Sequence, residues 1–126
     1  KGAKRALMLQ VSAPFHSALM APAAEAMREA LAGVAKNAPV VPVVSNVSVL
    51  PTTDPEIIAA RLVEQVTGRV RWRETVEWFG ANSVTTLYEI GAGKVLSGLA
   101  RRINRDIAVA SVGNPAEIDA AIAAMA

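Results

Sequence analysis

The side chain best suited to acid–base chemistry near neutral pH occurs once in this chain, as His16. It stands in Val11-Ser12-Ala13-Pro14-Phe15-His16-Ser17, between an apolar strand-like run and a long helix with an apolar stripe. A strand-to-helix turn is where α/β enzymes present a catalytic base. A lone histidine is by itself more often a structural or surface residue, so its surroundings must decide. Gly91-Ala92-Gly93-Lys94 is a second candidate, because it follows a strand and opens a helix as phosphate loops do. It fails the Walker pattern, since Val95 stands where Ser or Thr is required, and Leu96 holds the place of a third Rossmann glycine. Turn chemistry is the better account. Arg69, Arg71 and Arg73 alternate around Val70 and Trp72 and could meet a phosphate or an acidic surface. Arg101, Arg102 and Arg105 gather at a helix end, as the helix dipole alone predicts. Glu64, Glu74 and Glu77 lie at helical spacing from Arg61 or Arg73 and read as surface ion pairs.

Composition narrows the classes. The chain has 126 residues, 52% of them hydrophobic, which is enough apolar material for one packed domain or a piece of a larger one. Aromatics are only 4%, so the helices should be slim and closely packed. A net charge of +2 and a pI near 9.4 are too mildly basic to point to nucleic acid, and the chain has no base-stacking platform. There is no cysteine, which excludes disulfides, thiolate nucleophiles and cysteine metal sites. One histidine and scattered carboxylates leave no expected metal or cofactor. No apolar run approaches the roughly 18 residues that span a bilayer, so no membrane partner is expected and a cytoplasmic setting is the plain reading. The basic start followed by Ala6 to Val11 is too short for a signal peptide, and without an initiator methionine the chain is expected to begin inside a longer protein.

The elements that must position these residues follow from periodicity. Residues 5–11 read as a short strand, closed by Pro14, which holds Ala13 extended. A helix is expected from about Met20 to Lys36, with Met20, Ala23, Met27, Leu31 and Val34 on one face. The β-branched run from Val40 to Val47 predicts a strand buried on both faces, restricted by Pro42 to a start or an edge. Pro51 to Pro55 reads as a loop in which Asp54 caps a helix running to about Val66. Trp72, Val76 and Phe79 mark the next helix, stopped at Gly80. A strand over 84–90, a helix from Lys94 to Asn104 with Val95, Leu96, Leu99 and Ile103 inward, and a strand over 107–112 follow. Asn114 then caps a terminal helix through Ile118, Ala121, Ile122 and Met125. Alternating strands and helices predict an α/β arrangement with a largely parallel sheet flanked by helices.

Four stretches together resemble the C-terminal portion of the malonyl-CoA:acyl carrier protein transacylases. They are Lys4-Arg5-Ala6-Leu7 with Val11 to Ala23, Pro39 to Val47, Leu62 to Val66 with Val70-Arg71-Trp72, and Tyr88 to Leu96. The likeness covers essentially the whole chain in order; Ala92 departs from it, standing where the family usually carries proline. The resemblance implies an α/β-hydrolase-like acyltransferase fold with an inserted ferredoxin-like small subdomain. Residues 1–11 would then be the last small-subdomain strand, and 12–126 the C-terminal part of the large subdomain. It also implies transfer of malonyl from malonyl-CoA to the phosphopantetheine thiol of acyl carrier protein, in fatty-acid biosynthesis, through a serine acyl-enzyme. His16 would be the general base, the main-chain carbonyl of Gln65 would orient it in place of a triad carboxylate, and Phe15 would crowd an α-methyl branch. None of Ser12, Ser17, Ser45, Ser48, Ser83, Ser97 and Ser111 stands in G-x-S-x-G. The family's nucleophile, oxyanion hole and malonyl-binding arginine belong to an N-terminal part, the expected partner of this chain. The alternative is a non-enzymatic domain that binds an acidic protein or a phosphorylated ligand through its basic groups.

Overall fold

The structure, a computed structural model, describes residues 2, 6–8 and 11–125. Its contacts divide the chain into two compact units after Val70. In the first unit a short 3-10 turn, Ala18–Met20, leads into helix α1, Ala21–Ala32. Strands β1, Val43–Val44, and β2, Pro51–Thr52, pair antiparallel, and helix α2, Pro55–Thr67, follows. The second unit runs α3, Trp72–Ala81; β3, Thr86–Ile90; α4, Val95–Ile103; β4, Ala108–Val112; and α5, Pro115–Met125.

Local chemistry sets these boundaries. Asp54 Oδ1 accepts the Glu56 and Ile57 N–H groups at 2.8 and 3.2 Å, and Pro55 takes the first helical position, where a missing N–H is harmless. Asn114 Oδ1 accepts the Glu117 N–H at 3.0 Å, and Glu117 Oε2 reaches back to the Gly113 N–H at 2.7 Å, so α5 begins with a reciprocal cap. Gly91 and Gly93 take φ of +131° and +98°, conformations closed to most L-residues, and so turn the chain between β3 and α4.

The α/β reading holds. β3 and β4 pair in parallel from Thr86↔Ala108 to Ile90↔Val112, connected through α4. Around them Val76, Ala100 and Ile107 form a buried centre, packed by Trp72, Phe79, Leu87, Ile103 and Val109.

Several expectations need correction. Only Val43 and Val44 of the Val40–Val47 run are strand, and their partner is the Pro51–Thr52 segment read as loop. Pro42 lacks a ladder donor and the run turns at Ser45, whose carbonyl accepts the Val49 N–H at 2.8 Å, so the pairing is short; Val40 and Val41 are exposed. Helix α1 ends at Ala32, four residues before Lys36, where Gly33, a weak helix former, caps it; its Ala23 and Met27 are exposed, as is Val34 beyond its end. Helix α3 runs one residue past Gly80, to Ala81. On α4 the buried residues are Ser97 and Ala100, while Val95, Leu96 and Leu99 face outward; on α5 only Ala121 is buried. Small residues face the sheet there because they permit close approach. Of the strand expected over 5–11, Arg5, Leu9 and Gln10 lie outside the described residues, as does Lys4, and Ala6 to Met8 and Val11 have no strand geometry.

Candidate active site

His16 sits in the turn before Ala18–Met20 and is exposed, with φ of +59°. Such a left-handed conformation costs a non-glycine residue about 1 kcal/mol or more and persists only where the surroundings over-determine it. Its Nδ1 lies 2.9 Å from the main-chain oxygen of Gln65, 49 residues away in sequence. A carbonyl can only accept, so Nδ1 carries the proton and donates. In the neutral ring this leaves the Nε2 lone pair as the acceptor.

Gln65 is on the last turn of α2, where helix carbonyls lack the usual partner four residues on and are open to side-chain donors. The cap at Asp54 fixes where α2 begins, and Gly68 fixes where it ends. The Gly68 N–H donates to the Glu64 carbonyl at 2.8 Å, and a Cβ on Gly68 would stand 2.8 Å from Val47 Cγ2 and 2.9 Å from the Glu64 oxygen. Gln65 Nε2 donates to the Gly68 carbonyl at 3.3 Å. Its Oε1 is buried without a hydrogen-bond partner among the described residues. The Gln65 side chain, with Val44, Asn46 and Leu62, lines a cavity of about 210 Å³. The larger hollow of the same unit, about 510 Å³ between α1 and α2, is lined by neither His16 nor Gln65.

Of the three site residues expected from sequence, His16 and Gln65 are thus brought together. Phe15 is beside His16 in the chain and is 56% exposed. Sequence reasoning missed Ser17, whose hydroxyl donates to the Pro14 carbonyl at 2.8 Å and accepts the Leu19 N–H at 3.3 Å. A serine one residue before a helical turn is a capping signal, and that signal was available.

The other candidates resolve into ordinary structure. At the start of α4 the Leu96 and Ser97 N–H groups donate to the Glu89 carboxylate at 3.0 and 2.8 Å, so the chain's own anion occupies the place a phosphate would take. The Ser97 hydroxyl and then these N–H groups hold the Glu89 pKa below the usual carboxylate value, against partial desolvation. Arg71 Nε and Arg73 Nε pair with Glu74 and Glu77 at 3.0 and 2.8 Å, and Arg61 pairs with Glu64. Among the described residues no three of His, Cys, Asp and Glu cluster to hold a metal ion, and no helix is long and apolar enough to cross a membrane.

No protein-family model matches the chain, but individual proteins do. It is 46% identical over 121 residues to the malonyl CoA-acyl carrier protein transacylase of Salmonella typhimurium, across 96% of this chain and 39% of that protein. The chain matches the C-terminal portion of that transacylase family. The Bacillus subtilis member is likewise 46% identical over 121 residues, across 96% of this chain and 38% of its own length. Among solved structures, the acyl-carrier-protein-S-malonyltransferase of Bartonella henselae is 64% identical with a TM-score of 0.90, over 98% of this chain and 40% of that one. A malonyl-transacylase solved in complex with a type II PKS acyl-carrier protein is 44% identical with a TM-score of 0.87, also over 98% and 40%. The chain therefore corresponds to the C-terminal portion of the family's α/β acyltransferase fold and spans about two fifths of the length of the curated relatives it matches.

Proposed function

We propose that this chain is the base-bearing portion of an enzyme that moves malonyl from malonyl-CoA to the phosphopantetheine thiol of acyl carrier protein in fatty-acid biosynthesis. The supporting observation is the 2.9 Å pairing of His16 Nδ1 with the Gln65 carbonyl, in a chain 46% identical to curated transacylases. On this reading residues 1–11 are the last strand of a ferredoxin-like small subdomain, and 12–126 complete the large one. The setting is cytoplasmic.

The chemistry balances on one imidazole. A serine hydroxyl, carried by the N-terminal part of the enzyme, gives its proton to His16 Nε2 as its oxygen attacks the thioester carbonyl. The C–S bond breaks, and the CoA sulfur leaves with that proton, forming the malonyl ester. The acyl carrier protein thiol then gives its proton to Nε2 and attacks the ester carbonyl. The ester C–O bond breaks, and the serine oxygen recovers the proton. The Gln65 carbonyl holds the ring in the tautomer this needs and stabilises the imidazolium at each stage. The Phe15 ring disfavours donors with an α-methyl branch.

The test is His16→Ala in the whole polypeptide, where kcat should fall by about 10²-fold or more, with no malonyl ester trapped on serine by intact mass. Unchanged turnover would remove the assigned role. A basic domain that only binds an acidic protein would yield no malonyl ester even in the unsubstituted enzyme.

A further inference from the structure

We infer that Ser17 is a positioning residue that holds His16 in its left-handed conformation, and thereby on the Gln65 carbonyl. The inference rests on His16 being the base. A positive φ in the middle of a turn is ordinarily left to Gly or Asn, because an L-residue with a larger side chain does not hold it by its own preference. Something outside His16 must therefore keep φ at +59°. The surrounding hydrogen bonds identify what does. The Ser17 hydroxyl donates to the Pro14 carbonyl at 2.8 Å and so closes the turn across Phe15 and His16. The same oxygen accepts the Leu19 N–H at 3.3 Å, and the Ser17 carbonyl accepts the Met20 N–H at 3.0 Å, tying the closed turn to the helical segment ahead. Behind it the Phe15 N–H donates to the Ala13 carbonyl at 2.9 Å, and Pro14 has a fixed φ. Chain is thus anchored on both sides of His16, and one hydroxyl joins the two anchors. Freed from it, His16 relaxes to negative φ, which swings the ring off a carbonyl on a different element. The Ser17 hydroxyl is bonded to Pro14 and Leu19 and not to the His16 ring, so its loss acts on how often the ring is correctly aimed.

The experiment compares Ser17→Ala, Ser17→Thr and His16→Ala in the whole polypeptide, with malonyl-CoA and holo acyl carrier protein. Ser17→Ala should lower kcat about tenfold with KM for malonyl-CoA unchanged, the effect of losing one aligning hydrogen bond. Ser17→Thr keeps a hydroxyl, and the extended backbone at Ser17, φ −137° and ψ 166°, accepts a β-branched residue, so it should retain near-normal kcat. Ser17→Ala within about twofold of the unsubstituted kcat overturns the inference, as does equal loss in the Ala and Thr variants. His16→Ala reads the other question: full turnover there overturns the base assignment itself, whatever Ser17 does.

Discussion

A histidine paired with a main-chain carbonyl is only half legible in a sequence. His16 stands out by type and by its place ahead of a helix, whereas its partner atom is one that every residue carries. Periodicity places Gln65 on a helix near its end but says nothing about which carbonyl an imidazole 49 residues away will choose; the family resemblance pointed to it. The left-handed turn was equally hidden, since neither His16 nor its neighbours are glycine or asparagine. Glu89 is a contrasting case at the same scale. Its type looked unremarked in a strand, yet it caps α4, with its pKa lowered by Ser97 and Leu96. A lowered folded value means the ionised form is favoured by folding. That stability is fully present above the ordinary glutamate range and is lost as pH falls through the folded value. Glu89→Gln keeps one acceptor but loses the charge. The variant should melt lower than the unsubstituted chain at neutral pH, and the gap should close on acidification, which a series of thermal melts against pH would follow.

Elements were legible where a cap and a stripe agreed, and misread where burial was inferred from apolarity alone. Asp54-Pro55 and Asn114-Pro115 announce α2 and α5 by mechanism, and both helices begin there. Trp72, Val76 and Phe79 read as an inward stripe, and Val76 is fully buried. Val76→Ala should therefore cost about 2 kcal/mol, seen as a lower denaturant midpoint at unchanged slope. Helix α4 went the other way. Of its larger side chains Ile103 packs against the core as expected, but Val95, Leu96 and Leu99 are outward, and Ser97 and Ala100 sit against the strands, with Ser97 Oγ 3.0 Å from Ser111 Oγ. Hydropathy finds Ile103 but overlooks Ser97 and Ala100, because close approach to a sheet requires small residues. The Val40–Val47 run failed for a related reason: β-branched residues predict extended backbone, while the cover that buries a strand comes from elsewhere.

At the scale of the molecule, the chain carries the proposed base and no G-x-S-x-G serine. Purified alone it should form no malonyl ester and transfer no malonyl, while mixing with the separately produced N-terminal part of its enzyme should restore both. Transfer by the chain alone, measured as malonyl-acyl carrier protein by mass, would count against the division of labour proposed above. The division after Val70 has a practical corollary. Both tryptophans, Trp72 and Trp78, fall in the second unit, and the single histidine falls in the first. Indole fluorescence therefore follows one half of the chain and imidazole proton resonances the other, with no label introduced. One sample warmed once reads both halves, and coincident midpoints would mark them as a single cooperative body.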